Sequence, residues 1–306
     1  MKRLVIWHTN DVHSRFEAFC GISRYLKEHA GPADLILDAG DFCDMMAPMI
    51  TGTGGLGGIH LLQQAGYDAL AIGNNEFFAG AQCLENMAAA GLPLLSCSLK
   101  YKDGRSLANV RSHLILEKNG IRVLIIGVSP YWDPAPGSSA FLDMIGLCSL
   151  DPKGIIPNIL EREKGSYDIA VLLSHAGDDH DRRLCTEVRG LDVIIAAHLH
   201  RVYDPQECHG VWIQESGCYG RYLGRMELTL DERCRLTAVS GENLANDFAP
   251  DAAAQQMLAA ESRNAEAVLE KPLYELPRLL TFHPYRECLL VNAVADALHR
   301  KYGGDF

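Results

Sequence analysis

The chain has 306 residues and a formal net charge of −11 at pH 7, and no stretch of it gathers Lys and Arg into the basic stripe of a nucleic-acid groove. This composition argues against a nucleic-acid polymer as partner. It does not exclude a small phosphorylated substrate, because carboxylates can hold metal cations that attract such a substrate.

Apolar runs of strand length alternate with helix-like segments along the first two thirds of the chain. The strand candidates are residues 4–7, 35–40, 69–73, 122–128, 169–174 and 192–198. Helix-like patterns occur at 21–31 and 81–91, and their closing glycines fit helix C-termini. The alternation predicts an α/β fold with largely parallel strands that are buried on both faces. The glycine-rich segment 51–60 matches no phosphate-binding motif and is predicted as a loop entering the next helix.

The pattern changes after about residue 205. Short strand candidates joined by turn residues predict antiparallel hairpins that complete a sheet. Residues 251–270 then predict a helix that Pro272 closes, and residues 285–304 predict an amphipathic helix with Leu290, Val294 and Leu298 on one face.

Two features bear on the compartment. The ten cysteines are scattered without CxxC spacing, which favours reduced thiols. The N-terminal apolar run is too short for a signal peptide, and no run of 18 apolar residues exists to span a membrane. We therefore expect a cytoplasmic protein without a membrane partner.

Five of the apolar runs end in residues that can bind divalent metals. They are Asp11 and His13, Asp41, Asn74, His175, and His198 and His200. Ligands collect beyond the carboxyl ends of strands in open α/β sheets, so these side chains should meet at one rim. The spacing by two in Asp11 and His13 would put both side chains on one side of an extended segment.

Seven candidate ligands are too many for one small ion, so two ions bridged by a carboxylate use them best. Oxygen and nitrogen donors without thiolate favour Mn, Fe, Co or Zn and do not separate these metals. Each residue alone has a simpler reading, because a buried His is usually a core residue and an Asp before a helix is usually an N-cap. Because residues able to bind metals follow five separate strand candidates, the metal site is the better interpretation.

The segments HTNDVH, DAGD, GNNEF, LLSHAG and AHLH, in this order and spacing, closely resemble the calcineurin-like metallophosphoesterases. The resemblance covers about residues 3 to 240 and is strongest for the 5′-nucleotidase/UDP-sugar hydrolase branch. It implies a four-layer α/β/β/α sandwich with a dinuclear centre that hydrolyses phosphoesters with a metal-bridging hydroxide. One ion would be held by Asp11, His13 and His200, the other by Asn74, His175 and His198, and Asp41 would bridge them.

One departure from the family concerns the leaving group. The family usually has GNHEFD, whose His and Asp form a dyad that stabilises or protonates the leaving oxygen, whereas this chain has Asn75 and Phe78. Asn75 can donate a hydrogen bond but cannot deliver a proton, so about 10²- to 10⁴-fold of rate is at stake. We therefore expect aryl phosphates, cyclic phosphates or diphosphate linkages to be preferred over 5′-mononucleotides. His180 could replace the acid if its loop folds over the centre.

Two rival functions stay open at this point. One is a phosphodiesterase or cyclic-phosphate hydrolase, and the other is a catalytically silent metal-binding homologue. Three polar residues near the motifs have supporting interpretations: His8 as a core residue or a neighbour of the ligands, Asp38 as a residue that orients a ligand, and Asp44 as part of a GDxxD pattern.

The predicted organisation has three parts. Residues 1–245 form the catalytic domain, residues 246–277 a linker helix, and residues 278–306 the opening helix of a C-terminal nucleotide-recognition domain that is truncated or absent. In the truncated case the apolar face of the last helix needs burial, by docking on the catalytic domain or by homodimer formation. Substrate identity beyond a small phosphorylated compound, such as a nucleotide, stays open.

Overall fold

The computed structural model describes residues 1–77, 80–131, 138–272, 275, 279–283 and 285–303. The strands are β1 Lys2–Thr9, β2 Leu35–Asp38, β3 Ala69–Ala71, β4 Leu94–Leu95, β5 Leu99–Tyr101, β6 His113–Lys118, β7 Ile121–Val128, β8 Leu147–Ser149, β9 Ile169–Ser174, β10 Val193–Ala196, β11 Val202–Cys208, β12 Val211–Ser216, β13 Tyr222–Leu230 and β14 Leu236–Ala245. The helices are α1 Phe16–His29, α2 Pro48–Thr53, α3 Leu56–Gln64, α4 Asn74–Phe77, α5 Ala81–Ala89, α6 Ser138–Met144, α7 Ile156–Arg162, α8 Asp178–Glu187, α9 Ala252–Leu269 and α10 Leu289–Tyr302.

Two six-stranded sheets form the centre of the fold. Their orders are β14-β13-β1-β2-β3-β4 and β11-β12-β10-β9-β7-β6, and a short third sheet pairs β5 with β8. Strands β1 to β4 run parallel in the first sheet, and β7, β9, β10 and β12 run parallel in the second. Antiparallel hairpin strands flank these parallel cores, so the predicted mixture of parallel strands and late hairpins is confirmed.

Alternate residues of each central strand serve different cores, because successive side chains of a strand point to opposite faces. On β1, Leu4 and Ile6 pack between the two sheets, while Val5 and Trp7 pack in the outer core shared with α1. Strands β7, β9 and β10 likewise send their other face to a third core shared with α7 and α8. The result is the predicted α/β/β/α sandwich, with continuous apolar strands because both faces are buried.

Two helices differ from the sequence prediction. The first helix begins at Phe16 rather than Gly21, and Gly21 lies inside it because a Cβ there would meet the backbone oxygen of Phe248 at 2.9 Å. The glycine serves close packing and does not mark a start. The last helix begins at Leu289, four residues later than predicted, after Cys288 in an extended conformation.

The glycine-rich segment 51–60 is helical, which corrects the predicted loop. Helices α2 and α3 meet at Gly54 and Gly55, whose φ angles of 61° and 85° turn the chain. Gly58 allows close packing, because a Cβ there would lie 2.1 Å from the Sγ of Cys43. Glycine here provides a turn and close contacts rather than mobility.

The chain divides into two compact units, Met1–Val268 and Leu269–Phe306. Within the first unit α9 is packed on the outer core, since Ala254 and Ala265 are buried and the imidazole of His60 lies 2.8 Å from the carboxylate of Glu261. In the second unit α10 exposes Leu290, Val294 and Leu298. Every helix in the described ranges is too short or too polar to cross a membrane.

Candidate metal centre

The candidate ligands follow strands of both sheets. Asp11 and His13 follow β1, Asp41 follows β2, Asn74 follows β3, His175 follows β9, and His198 and His200 follow β10. The strands in each set are parallel neighbours, so their carboxyl ends lie on the same side of their sheet. The convergence expected from the strand ends is observed for the groups described next.

Two overlapping groups of donor atoms lie within 4.8 Å of one another: Asp11, His13 and His200, and Asp11, Asp41 and His175. The Nε2 atoms of His13 and His200 are 3.0 Å apart, and Asp11 Oδ1 lies 3.3 Å from His200 Nε2. His175 Nε2 lies 3.2 Å from Asp41 Oδ2 and 3.8 Å from Asp11 Oδ1. The rings of His175 and His198 are 5.2 Å apart between centroids.

The backbone brings these groups together in a way that the sequence argument had wrong. Asp11, His13, Asp41, His198 and His200 all have positive φ angles, between 50° and 83°. The pairs spaced by two are therefore not on extended segments. Left-handed turns aim both side chains inward instead, and Asp, Asn and His are the non-glycine residues that adopt such angles most readily.

Backbone hydrogen bonds hold the first two loops against each other. The amide of Asp11 donates to Gly40 O, and the amide of His13 donates to Asp41 O, both at 2.9 Å. Asp38 accepts hydrogen bonds from the Thr9 hydroxyl at 2.5 Å and from the Gly40 amide at 2.8 Å. Asp38 thus shapes the turn that leads to Asp41, which is consistent with its interpretation as a residue that orients a ligand.

Three donor atoms of the centre are buried and have no hydrogen-bond partner within the described residues: Asp11 Oδ1, Asn74 Oδ1 and His175 Nε2. Buried polar atoms are rarely left unpaired, because each costs free energy comparable to a lost hydrogen bond. Buried donor atoms without a partner on three candidate ligands fit a bound cation. The spacing of the His13 and His200 nitrogens fits too, since ligands about 2.1 Å from one ion and at right angles lie about 3 Å apart.

The other atoms of these side chains are held by the protein. His13 Nδ1 lies 2.7 Å from Asp44 Oδ1, and His175 Nδ1 lies 2.9 Å from Ala39 O. With the proton on Nδ1 in each ring, Nε2 is left to accept a cation, which is the usual orientation of metal-binding His. Asp11 Oδ2 accepts from the His198 amide at 2.9 Å, which leaves Oδ1 to face the centre.

Asn75 and Glu76 both support Asp41. The backbone amide and the side-chain Nδ2 of Asn75 donate to the two oxygens of Asp41, at 2.7 and 2.8 Å. Glu76 is fully buried and accepts from the amides of Asp41, Cys43 and Gly73 at 2.8 to 2.9 Å. The sequence argument singled out Asn75 but assigned no role to Glu76.

Electrostatics in the centre favour positive charge. Burial tends to lower the pKa of His175, but the carboxylates of Asp41 and Asp11 outweigh burial and raise it to about 10. Burial lowers the pKa of His198. Burial, reinforced by the charge of Asp41, raises the pKa of Glu76 to about 7. In the ion-free protein a proton on His175 therefore partly offsets the buried carboxylates, and a metal cation would compete with that proton.

The remaining predicted residues lie elsewhere. His180 is in the first turn of α8 rather than in a loop, and it lines a cavity with Tyr131, Lys153 and Arg183 that includes none of the candidate ligands. His8 is fully buried, and burial lowers its pKa to about 4, so it is neutral at pH 7. Phe78 lies outside the described residues.

A family model described as calcineurin-like phosphoesterase matches residues 4–202. The chain is 32% identical to an uncharacterized metallophosphoesterase, YunD, of Bacillus subtilis over 97% of this chain and 66% of that protein. It is 25% identical to the 5′-nucleotidase of Homo sapiens over 96% of this chain and 59% of that protein. The crystal structure of a 5′-nucleotidase precursor from Thermus thermophilus superposes with a TM-score of 0.73 at 22% identity, covering 98% of this chain and 67% of that one. The chain thus spans less than two thirds of the length of these two curated relatives.

Proposed function

The chain belongs to the calcineurin-like phosphoesterase family, and on that premise we propose that it is a metal-dependent phosphoester hydrolase that acts on small phosphorylated compounds at a centre of two divalent ions. The observation that carries this proposal is the set of three buried, unpartnered donor atoms on Asp11, Asn74 and His175. A nucleotide-type substrate is part of the proposal, supported by the relatives named 5′-nucleotidase.

We assign one ion to Asp11, His13 and His200 and the other to Asn74, His175 and His198, with Asp41 between them. The first set is supported by distances of 3.0 and 3.3 Å between its donor atoms. The contact of 3.2 Å between His175 and Asp41 supports the bridge. Mn, Zn, Fe or Co suits these oxygen and nitrogen donors.

Bound ions would supply Lewis acidity, which lowers the pKa of a coordinated water and neutralises charge on phosphoryl oxygens. The chain's own residues set the geometry. Asp44 and the Ala39 carbonyl fix the orientation of His13 and His175, and Asn75 holds both oxygens of Asp41. Asn75 therefore acts here as a positioning residue for Asp41.

The leaving group receives little help in this arrangement. Asn75 cannot donate a proton to a departing alkoxide, and His180 lines a different cavity. We propose that substrates with good leaving groups are preferred, including aryl phosphates, cyclic phosphates and diphosphate linkages. Turnover of aryl phosphates with graded leaving-group pKa should fall steeply as that pKa rises, and a flat dependence would refute the preference.

One assay tests the function itself. Metal-stripped protein is reloaded with Mn²⁺ and incubated with p-nitrophenyl phosphate, bis-p-nitrophenyl phosphate and AMP. Hydrolysis of the monoesters supports the main proposal, and preference for the diester supports a phosphodiesterase. A null result in all three, with full metal loading, would indicate a catalytically silent metal-binding homologue. Asp41→Asn is the matched negative control, because it removes the charge shared by both ions.

Two broader proposals concern the setting of the protein. All ten cysteines are free, which supports a reducing compartment such as the cytoplasm.

The exposed apolar residues Leu290, Val294 and Leu298 of α10 support burial of that helix face, including by a homodimer. Light scattering on the wild type and on a Val294→Glu variant tests the homodimer. A C-terminal nucleotide-recognition domain beginning at 278 remains a proposal.

A further inference from the structure

Tyr219 lies against the candidate metal centre although no motif includes it. Its backbone amide donates to Asp11 O at 2.7 Å, and its φ of 61° turns the chain between β12 and β13. Its ring packs against the imidazoles of His13 and His200, with centroid distances of 5.4 and 5.7 Å. Tyr219 therefore forms a wall beside two of the candidate ligands.

Two arginines lie over the same ring. The guanidinium carbons of Arg15 and Arg221 are each 5.5 Å from the ring centroid of Tyr219, and both side chains are exposed. Arg15 directly precedes α1, and Arg221 directly precedes β13. The fold thus brings together two cations that are 206 positions apart in the sequence.

These arginines differ from most others in the protein. Within the described residues, neither guanidinium has a hydrogen bond or an ion pair with a carboxylate. Several other arginines are paired with Asp or Glu, namely Arg3, Arg24, Arg105, Arg122, Arg162, Arg182, Arg201, Arg225 and Arg235. In a chain of net charge −11, two unpaired guanidinium groups beside one ring have all their N–H donors open to an anion.

The positions of the Arg15 and Arg221 guanidinium groups limit which part of a substrate they can bind. Within the described residues neither guanidinium is hydrogen-bonded to a candidate ligand, and each lies 5.5 Å from the centroid of the Tyr219 ring, which itself packs against His13 and His200. A phosphoryl group held by the ions would therefore lie nearer to His13 and His200 than to the arginines. The guanidinium groups suit a second anionic group on the same substrate, because guanidinium forks bind phosphate oxygens in pairs.

We propose that Arg15, Tyr219 and Arg221 form a subsite for a second phosphoryl group, which makes diphosphates the better substrates of this centre. The inference rests on the proposed function. For ADP, water adds to the terminal phosphorus and the bridging P–O bond breaks, which gives AMP, orthophosphate and one proton. AMP leaves with the bonding electron pair on a phosphate oxygen, and this group needs no proton from Asn75.

The test compares substrates with one and with two phosphoryl groups. The measured quantity is kcat/KM for ADP divided by kcat/KM for p-nitrophenyl phosphate, both in the Mn²⁺-loaded protein. In a variant that carries both Arg15→Gln and Arg221→Gln this ratio should fall about tenfold or more, because losing a charge-assisted hydrogen bond usually has an effect of that size. Arg24→Gln, another exposed arginine near the N-terminal end of the chain, should leave the ratio unchanged. An unchanged ratio in the double variant would overturn the subsite.

A binding measurement separates this inference from the proposed function. Calorimetry with inorganic pyrophosphate and inorganic phosphate on the Mn²⁺-loaded protein needs no turnover. Weaker pyrophosphate binding in the double variant, with phosphate binding less affected, supports the subsite even if no substrate is hydrolysed. Equal weakening of both anions would mean that the arginines contact the same phosphoryl group as the metals, and the subsite would be refuted.

Discussion

Glu76→Gln is the substitution that best tests how the centre is built. The buried carboxylate of Glu76 accepts three backbone N–H groups: Oε2 accepts from Asp41 and Gly73, and Oε1 accepts from Cys43. Gln has the same shape but only one acceptor oxygen. Its amide nitrogen must face at least one of these N–H groups, so at least one hydrogen bond is lost and a buried donor is left unsatisfied.

The expected cost follows from these bonds. A hydrogen bond contributes about 0.5–1.5 kcal/mol and an unsatisfied buried donor costs about 1–3 kcal/mol, so relative to protonated Glu76 we expect the free energy of unfolding to fall by about 1–3 kcal/mol. Mn²⁺ uptake should weaken as well, because Asp41 loses its support. Urea unfolding of the metal-free protein at pH 6, below the Glu76 pKa of about 7, measures the first effect, because above that pKa the neutral Gln would also remove a negative charge that burial and Asp41 disfavour. Elemental analysis measures the second.

A matched control is Glu28→Gln, which removes an exposed carboxylate paired with Arg24 at i,i+4. Exposed pairs of this kind contribute about 0.3–0.5 kcal/mol, so this variant should stay close to the wild type. If Glu76→Gln unfolds within about 0.5 kcal/mol of the wild type, an ordinary surface effect, Glu76 does not brace the Asp41 loop and the reasoning fails.

Three further predictions follow from the same contacts. Asn75→His should raise kcat/KM for AMP only in part, because the sequence has Phe78 at the position of the Asp in the motif GNHEFD; a gain to the level of p-nitrophenyl phosphate would show that the second dyad member is dispensable. Gly73→Ala should lower the Mn²⁺ content, because a Cβ there would lie 2.2 Å from Asp41 Oδ1, and full loading would contradict this. In the ion-free protein the pKa of His175 is raised from 6.5 to about 10, so its contribution to stability is complete below pH 6.5 and is lost as pH rises towards 10. The midpoint of urea unfolding, measured in EDTA, should therefore fall between pH 6.5 and 10. If the midpoint of the His175→Gln variant falls by the same amount, a group other than His175 causes the effect.

The fold could be predicted from the sequence because local patterns of apolar residues determine its strands. An apolar run such as 169–174 marks a strand buried on both faces, and the structure has it as β9 with the same bounds. Gly21 misled the helix prediction for the opposite reason. It is required by contact with Phe248, which lies more than 200 positions away, and no local pattern records such a contact.

The centre was predictable as a set of residue types and not as a geometry. Polar residues after parallel strands indicated where ligands would meet. The left-handed turns at Asp11 and His200 could not be anticipated, since they depend on which backbone groups bond across loops. Glu76 was missed because all three of its partners are backbone amides, two of them more than 30 positions away. The sequence held one signal for a role of Glu76: it lies three residues after Gly73, a spacing at which its carboxylate can accept the Gly73 amide.

The costs built into this centre argue that folding and ion binding are linked. Five candidate ligands occupy left-handed backbone, which costs of order 1 kcal/mol or more at each non-glycine residue. Asp11 and Asp41 are buried together, and three donor atoms are unpartnered within the described residues. The proton on His175 and the two hydrogen bonds from Asn75 to Asp41 offset these costs only in part, whereas divalent cations would offset the buried charge and the unpartnered donors together. Because ions bind the folded centre and not the separated segments, free Mn²⁺ at 100 times its Kd should stabilise the fold by about 2.7 kcal/mol for each site. A melting temperature that does not respond to Mn²⁺ in the wild type would mean that these residues are not a metal centre.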